Sequence, residues 1–373
     1  MNFKTLGISP EMITHLKKSG ITTPTPIQEQ AIPLILSGKD VIGEAQTGTG
    51  KTLAFLLPIF ERLSSKLPHI QALIVAPTRE LAIQITQEAK KLAEAKALGI
   101  LPIYGGQDTA AQLKKLGKPV HLVIATPGRL LDHIGRKSIN LSKTTTFVLD
   151  EADQMLLMGF KNDVESIVKQ LPKKCQTLCF SATMDAPVKK LAYRFTNSPV
   201  TLTIAKKKIT LEAIHQELVE TTDRHKQAAL LQVLQEDNPY MAIIFCRTKR
   251  RVEALYEALK EKDYNCVRLH SDILQSKRER MMKSFKKGDI QYLIATDVAA
   301  RGIDISGVTH IYNYDVPETP ETYIHRIGRT GRAGNDGYTC MFMTPRNEKE
   351  VADIESRIRL KIPRRILQTN GPN

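Results

Sequence analysis

The chain has 373 residues, of which 42% are hydrophobic and 25% are charged. This length predicts two or three domains that each bury a core, and the composition excludes a disordered or fibrous chain. Lysine and arginine outnumber aspartate and glutamate by 54 to 39, which gives a formal net charge of +15. Such a surplus favours polyanionic partners, although it is also typical of a surface charged for solubility.

Arginine is concentrated in the second part of the chain, where 16 of the 21 arginines follow residue 206. A guanidinium donates two parallel hydrogen bonds to a phosphate. The second part is therefore predicted to contact phosphate groups.

The cysteines and the N-terminal residues predict a protein of the reducing cytoplasm. The residues after Met1 form no apolar signal segment, and no run approaches the ~18 apolar residues of a membrane span. The cysteines lack C-x-x-C spacing and four of them lie in or beside apolar runs, which predicts buried, reduced thiols at Cys175, Cys179, Cys246, Cys266 and Cys340.

Short apolar runs, each followed by a helix-like stretch, recur along the chain. This pattern is typical of βαβ units and predicts an α/β fold with parallel sheets. It breaks once, which predicts an N-terminal domain over 1–204, a linker over 205–212 and a C-terminal domain over 213–373, with a ligand cleft between the carboxyl ends of their strands. The runs lie at 72–75, 122–125, 147–149 and 178–180, and then at 242–245, 292–295, 310–312 and 340–342.

A phosphate loop is predicted at 45–52, where AQTGTGKT follows a plausible strand and precedes a helix-like run. Glycine N–H groups can cradle phosphates at a helix N-terminus. Lys51 can reach the β and γ phosphates, and the Thr52 hydroxyl can bind Mg²⁺. Ala45 stands where the strict pattern has glycine. The predicted nucleotide contacts in this loop are Gln46, Thr47, Gly48, Thr49, Gly50, Lys51 and Thr52.

Carboxylates follow the predicted strand 147–149, in the string DEAD at 150–153. Asp150 can hold Mg²⁺, usually through water, and Glu151 can orient and deprotonate the water that attacks the γ-phosphate. By itself such a cluster is more often a solvated helix start. Beside a phosphate loop, the metal and base roles are favoured.

The string HRIGRTGR at 325–332 places three arginines and two glycines in the C-terminal domain. A solvated basic loop is the plain interpretation. The N-terminal domain has no obvious arginine finger, so these arginines predict a finger supplied by the other domain. Hydrolysis would then depend on domain closure.

Together these strings resemble the DEAD-box ATP-dependent RNA helicases of superfamily two, over nearly the whole chain. GITTPTPIQ at 20–28 resembles the Q motif of that family, with Phe3 upstream at the expected distance. The resemblance implies two tandem RecA-like domains and the cofactors ATP and Mg²⁺. It also implies that Gln28 reads the adenine edge and that Phe3 stacks on the ring, whereas a lone glutamine in such a turn is usually a loop residue.

Further segments resemble the RNA-contacting loops of the family. Thr hydroxyls, glycine N–H groups, helix starts and single arginines bind phosphate and ribose without reading bases. The residues that match are Thr78, Arg79, Gly105, Gly106, Thr126, Pro127, Gly128 and Arg129 in the first domain, and Arg247, Gln275, Arg278 and Thr296 in the second.

The remaining matches concern the nucleotide and the coupling of hydrolysis to unwinding. The string SAT at 181–183 is similar to the coupling motif, and its strand-end position predicts that its hydroxyls lie near Asp153. Two residues depart from the family pattern, Leu157 and Ser271. By resemblance, Ser181, Thr183, Asp153 and His325 are coupling residues, Gly302 and Asp304 bind the nucleotide, with Asp304 accepting from the ribose, and Arg329 and Arg332 are γ-phosphate fingers.

The function implied is an RNA-dependent ATPase that locally unwinds short RNA duplexes or remodels RNA–protein complexes. A GTPase switch is disfavoured because the chain lacks an Asn-Lys-x-Asp string, and a non-hydrolysing RNA clamp because Lys51, Glu151 and Arg329 are present. A DNA helicase stays open, since backbone contacts identify the sugar only through the 2′-OH.

The partners follow from the same features. With 5% aromatic residues and no tryptophan, base stacking is disfavoured, so RNA is expected to bind through its backbone with little sequence preference. We expect a monomer that contacts no membrane and works with ribonucleoprotein or ribosome-assembly partners. The short stretch after the second domain predicts a bare helicase core without an appended RNA-binding domain.

Overall fold

The computed structural model describes residues 2–46, 48–94, 96–106, 119–204, 214–300, 307–331 and 337–367. The chain divides into two compact units, Met1–Lys206 and Lys207–Asn373. Each unit contains one parallel sheet flanked by helices. The predicted fold class, two tandem RecA-like α/β domains, is confirmed. The predicted linker, 205–212, lies outside the described residues.

The sheet of the first unit has seven parallel strands in the order β3-β4-β2-β5-β6-β1-β7. Its central strands are buried on both faces, as parallel sheets covered by helices are. On β2, Ile74 packs in the core on one face, and Leu73 and Val75 pack in the core on the other. The strands are β1 (Val41–Glu44), β2 (Ala72–Val75), β3 (Ile100–Ile103), β4 (Leu122–Ala125), β5 (Thr146–Leu149), β6 (Gln176–Ser181) and β7 (Val200–Thr203).

The sheet of the second unit has six strands in the order β10-β11-β9-β12-β13-β8, and its neighbouring strands also pair in parallel. On β9, Ile244 and Ile243 pack in cores on opposite faces. The strands are β8 (Ile214–Glu220), β9 (Ala242–Cys246), β10 (Cys266–Leu269), β11 (Tyr292–Thr296), β12 (His310–Asn313) and β13 (Gly337–Met343).

Helices connect the strands and cover the sheets. Among the described residues, no helix is long and apolar enough to cross a membrane. In the first unit the helices are Pro10–Lys18, Pro26–Leu36, Lys51–Arg62, Arg79–Ala93, Pro127–Gly135, Ala152–Leu157, Lys161–Val168 and Ala186–Phe195; in the second they are Lys226–Asp237, Lys249–Lys260, Gln275–Lys287, Asp297–Ala300, Pro320–Ile327 and Glu348–Ile358.

The five cysteines are free thiols, and four of them lie in strands. Cys179, Cys246 and Cys340 are buried, while Cys175 and Cys266 are half-buried. Burial raises the pKa of the Cys179 thiol to about 12. These thiols therefore stay protonated at neutral pH and behave as apolar core groups.

Candidate functional site

The phosphate loop leaves the carboxyl end of β1 and leads into the helix Lys51–Arg62. Gly48 and Gly50 adopt φ values of 83° and 93°, a conformation that favours glycine. Gly50 is the N-cap residue, and its left-handed backbone turns the chain so that Lys51 starts the helix. The first N–H groups of a helix lack intrahelical acceptors, which makes this end suited to an anion. Thr47 lies outside the described residues.

Lys51 shows what the loop is suited to bind. Its side chain is only 6% exposed, and its Nζ has no hydrogen-bond partner among the residues that the structure describes. A buried ammonium without a partner is costly to leave unsatisfied. An anionic ligand at this helix start would supply the missing acceptors.

Gln28 forms a hydrogen bond with the backbone of the phosphate loop. Its Nε2 donates to the carbonyl of Gly50 at 3.0 Å, and its Oε1 accepts from the Thr25 N–H at 3.0 Å. A Cβ at Gly50 would lie 2.6 Å from that Nε2, so this close approach also requires glycine. The amide keeps one N–H and one lone pair that these bonds do not use. Adenine recognition by Gln28 stays a prediction, and its contact with the loop is a role that sequence analysis missed.

Phe3 lies in the core of the first unit and is 2% exposed. Its carbonyl accepts from the N–H groups of Leu6 and Ile8, which holds the residue in a tight turn. Stacking on an adenine needs an accessible ring face. That role stays a prediction, and it requires the base to displace part of this packing.

The carboxylates follow β5, two strands from β1 in the sheet order. Asp150, Glu151 and Asp153 are 2%, 5% and 4% exposed. Glu151 caps the next helix with φ 50° and ψ 55°, a left-handed conformation that is costly for a residue with a side chain. Local strain of this kind clusters at functional sites.

The environment of Asp150 favours a nearby cation. Burial raises the pKa of its carboxyl group, while Lys51 and the N–H of Glu151, which donates to Oδ1 at 3.0 Å, act in the opposite direction. Within the described ranges, no group of three or more His, Cys, Asp or Glu side chains could hold a metal ion. Mg²⁺ is typically bound by one or two carboxylates, water and substrate phosphates. Asp150 and the Thr52 hydroxyl therefore fit a magnesium ion that arrives with a nucleotide.

The predicted coupling residues of the first unit meet at Asp153. Ser181 ends β6, which lies between β5 and β1, and its Oγ accepts from the N–H of Asp153 at 3.2 Å. The Thr183 hydroxyl donates to Oδ2 of Asp153 at 3.4 Å. The structure thus brings these three residues together beside Asp150. Their role in coupling stays a prediction.

The predicted RNA residues of the first unit lie at the carboxyl ends of the neighbouring strands β2, β4 and β3. Thr78 caps the helix Arg79–Ala93, and its hydroxyl accepts from the N–H of Leu81. A Cβ at Gly105 would lie 2.5 Å from the guanidinium of Arg79, so these two segments touch. Gly106 has φ 88°.

The other predicted RNA segment of this unit begins a helix. Thr126 is its N-cap, Pro127 occupies its first turn, and a Cβ at Gly128 would meet no atom within 4 Å. Arg129 forms an ion pair with Asp132 at 2.7 Å. This guanidinium would have to share or leave that carboxylate to bind a phosphate.

In the second unit the predicted RNA residues follow the adjacent strands β10, β11 and β9. Gln275 and Arg278 lie in the first turn of a helix and are 8% and 6% exposed. Thr296 ends β11 and is half-buried. Arg247 follows β9, and its guanidinium donates to the carbonyl of Val316 at 3.0 Å.

A buried ionic network, missed by sequence analysis, joins these segments. Arg326 is 3% exposed and donates to both carboxylate oxygens of Asp297, at 2.6 and 2.7 Å. It also donates to Oδ1 of Asn313 at 3.0 Å and to the carbonyl of Asp315 at 2.7 Å. Arg326 stands next to His325 in the chain, and Asp297 stands next to Thr296. No feature of the sequence signals this network, because its partners are far apart in the chain and Arg326 lies in a basic string.

The carboxylate of Asp315 is the second centre of this network and is 5% exposed. It accepts from the N–H of Arg247 at 2.8 Å, from the guanidinium of Arg251 at 2.6 Å and from Nζ of Lys226 at 3.4 Å. The backbone of a predicted RNA residue is therefore held by a buried charge.

His325 and Arg329 line a small pocket at the end of the helix Pro320–Ile327. The residues that line this pocket are Phe245, Asp297, Ala300, Thr322, His325, Arg326 and Arg329. The other predicted contacts of this region, Gly302, Asp304 and Arg332, lie outside the described residues.

Two family models match the chain. The DEAD/DEAH box helicase model covers residues 25–191, and the model of the conserved C-terminal helicase domain covers residues 225–334. Together they include the phosphate loop, the carboxylates and the arginine string.

Named relatives and solved structures agree with these matches. The chain is 49% identical to the DEAD-box ATP-dependent RNA helicase CshA of Bacillus licheniformis, covering 98% of this chain and 75% of the relative. It is 48% identical to CshA of Bacillus subtilis, over 98% of this chain and 74% of the relative.

The fold matches Saccharomyces cerevisiae Dbp5 bound to RNA and ADP BeF₃, with a TM-score of 0.86, 32% identity and coverage of 97% and 95% of the two chains. It also matches Mss116p, with N-terminal and C-terminal segments deleted, bound to single-stranded RNA and AMP-PNP, with a TM-score of 0.85, 33% identity and coverage of 98% and 78%. The chain belongs to the DEAD-box ATP-dependent RNA helicases.

Proposed function

We propose that this helicase hydrolyses ATP in an RNA-dependent manner, with residues of both units contributing, and uses the cycle to open short RNA duplexes or remodel RNA–protein complexes. The observation that carries the proposal is the buried Lys51 ammonium, without a partner among the described residues, near the buried carboxyl group of Asp150. This combination suits a polyphosphate accompanied by a divalent cation.

ATP binding would use the phosphate loop and the segment that fixes it. The N–H groups at the start of the helix Lys51–Arg62 would donate to phosphate oxygens, and Lys51 would pair with the β and γ phosphates. Thr52 and Asp150 would hold Mg²⁺, the latter through water. When bound, this ion would neutralise phosphate charge and polarise the γ-phosphoryl group.

Hydrolysis would use Glu151 as the base. A carboxylate beside the γ-phosphate can orient a water and accept its proton. Glu151 follows Asp150 directly and has a left-handed backbone conformation. Because of this turn in the backbone, its side chain would point in a different direction from the carboxylate that holds the metal. This separation allows one residue to hold the cation and the next to take the proton.

RNA dependence would come from residues supplied by the second unit. Arg329 and Arg332 would stabilise charge on the transferred phosphoryl group, as arginine fingers do. Thr78, Arg79, Thr126 and their neighbours would bind one stretch of RNA backbone, and Arg247, Gln275, Arg278 and Thr296 the next. RNA would then favour the arrangement in which the fingers reach the nucleotide. Asp304, Gly302 and His325 would complete that arrangement.

The cellular setting follows from the same features. The proposed domains are residues 1–204 and 213–373, joined by 205–212. We expect the protein to act as a monomer in the cytoplasm, on ribonucleoprotein or ribosome-assembly substrates. Five free thiols without a disulfide support a reducing compartment.

The test is Glu151→Gln, measured by steady-state phosphate release with saturating RNA. We expect hydrolysis to fall by roughly 10²- to 10⁴-fold, because the base is lost while the side chain keeps its shape. Binding of ATP and RNA is expected to persist. Glu88→Gln, which removes an exposed carboxylate paired with Lys91, is the matched control. Turnover of the Glu151 variant close to that of the wild type would exclude its role as base.

Two substrate comparisons separate the alternatives. Equal turnover of GTP and ATP by the wild-type protein would contradict adenine recognition by Gln28. Equal stimulation by single-stranded DNA and RNA of the same sequence would show that the 2′-OH is not recognised.

A further inference from the structure

The helix Gln275–Lys287 carries an exposed row of positive charge. Four of its basic side chains, at spacings of three, three and four residues, project from one face and are exposed. The opposite face is buried through Gln275, Arg278 and Phe285. We call the four residues the basic stripe: Lys277, Arg280, Lys283 and Lys287.

The basic stripe has no acidic partner in the part of the protein that the structure describes. Within the described ranges, none of its four side chains forms an ion pair with a carboxylate. The one acidic residue of the helix, Glu279, accepts from the amide of Gln275. Some other cations of this unit are paired, such as Lys249 with Asp272 and Arg268 with Glu253 and Glu257. The stripe differs from isolated cations that have no ion pair among the described residues, such as Lys262, in that its four charges lie on one face of one helix.

The stability of the helix explains only part of this arrangement. Like charges three or four residues apart on a helix repel each other. Lys277 also lies in the first turn, where the helix dipole disfavours positive charge. Only Lys283 and Lys287 are placed favourably, towards the C-terminal end. Unpaired cations that weaken their own helix point to an anionic partner.

The position and length of the stripe indicate which partner. It begins in the helical turn that also carries Gln275 and Arg278, which resemble RNA contacts but lie on the opposite face of the helix, so the inference rests on the proposed function. From Lys277 to Lys287 the helix rises about 15 Å. A nucleic acid strand carries one phosphate per roughly 3.4 Å of duplex axis, so the stripe is long enough to meet several successive phosphates.

We propose that the basic stripe binds the phosphate backbone of RNA that continues past Gln275 and Arg278, and so extends the RNA path of the second unit along this helix. Lysine and arginine on a solvated face suit this contact because it needs charge and no base reading. The extension would hold either a single strand or a flanking duplex.

The test compares two variants with equal loss of charge. The stripe variant combines Lys277→Gln, Arg280→Gln and Lys283→Gln. The control combines Lys169→Gln, Lys173→Gln and Lys174→Gln, which are exposed residues just before β6 in the first unit. Each lowers the formal net charge from +15 to +12. A third variant, Lys277→Arg with Arg280→Lys and Lys283→Arg, retains the charge.

RNA affinity is measured by fluorescence anisotropy with AMP-PNP, over a series of salt concentrations. Single strands of increasing length form one arm, and a short strand joined to a duplex on either side forms the other. Losing three phosphate contacts should reduce the slope of log affinity against log salt by about 2. As salt rises from about 50 to about 200 mM, the ratio of wild-type RNA affinity to stripe-variant RNA affinity should therefore fall by about 16-fold.

We expect the stripe variant to lose the affinity gained from the longer strands or from the duplex, and the arm that shows the loss identifies the RNA form. The control and the charge-retaining variant should behave as wild type, and circular dichroism melts verify folding. Equal salt slopes for the stripe variant and the control would overturn the proposal. An acidic protein surface would then be the favoured partner of the basic stripe. Absence of RNA-stimulated ATP hydrolysis in the wild type would instead contradict the proposed function.

Discussion

Removing the charge of Asp315 tests the ionic network of the second unit. Its carboxylate compensates Lys226, whose side chain is 3% exposed. Breaking a buried ion pair by removing one partner costs about 3–5 kcal/mol. We expect Asp315→Asn to cost about 3 kcal/mol, near the lower end of that range, because the side chain of Arg251, the other cation, is 44% exposed and can turn to water. The unfolding equilibrium of this unit would shift by roughly 150-fold.

The pH dependence of that loss has a definite sign. Burial lowers the pKa of Lys226, and Asp315 opposes the shift. In Asp315→Asn the folded-state pKa of Lys226 falls further, so over a wider pH range the unfolded chain binds more protons than the folded one. Stability rises with pH in that range. The deficit of the variant relative to wild type should therefore be largest near neutral pH and shrink as pH rises towards the ordinary lysine pKa of about 10.4.

Hydrogen exchange of the amides of β9 and β12 measures the stability of this unit separately from the first. Asp353→Asn, at an exposed aspartate of the same unit, should change stability by less than about 0.5 kcal/mol. Combining Asp315→Asn with Lys226→Met should recover much of the loss, because the uncompensated buried charge is removed. A loss under about 1 kcal/mol, or a double variant no more stable than the single one, would refute the reasoning.

Two further predictions concern the nucleotide. Arg329→Ala should lower the RNA-stimulated kcat by about 10³-fold and leave ADP affinity unchanged. Arg346→Ala, at a side chain that is 87% exposed, is the control, and an unchanged kcat in the Arg329 variant would exclude the finger role. Gln28→Ala should weaken ATP binding, because the phosphate loop loses the hydrogen bond that Gln28 donates to the Gly50 carbonyl, and should reduce the preference for ATP over GTP, because the amide proposed to read adenine is removed. Gln30→Ala, on the exposed side of the same helix, is the control, and unchanged ATP affinity would contradict the role of Gln28.

The central strands were predictable from the sequence, and the edge strands were not. The apolar runs at 72–75 and 122–125 coincide with β2 and β4. Strands buried on both faces read as unbroken apolar runs. The four strands that sequence analysis did not single out, β3, β7, β8 and β10, are the outer strands of the two sheets. Three of them are partly exposed or polar, and β3 contains Pro102, which an edge strand tolerates.

The site was predictable where its residues follow strands in a recognisable string. The phosphate loop, the carboxylates and Ser181 were placed correctly at carboxyl strand ends, because parallel strands bring such ends to one edge. The network of Arg326, Asp297 and Asp315 was not predictable. Its partners are far apart in sequence, and an arginine in a basic string gives no sign that it is buried.

Gln28 shows how a correctly identified residue can have a second role that sequence does not reveal. The resemblance assigns its amide to adenine, whereas the structure shows the same amide bonded to Gly50, which starts the helix of Lys51. A group that contacts the base would thus also set the position of the phosphate-binding helix end. Because a small misplacement of reacting groups lowers the rate steeply, a wrong base at this site should reduce the rate of hydrolysis as well as nucleotide affinity. Base discrimination by this helicase is therefore expected in kcat and in KM together.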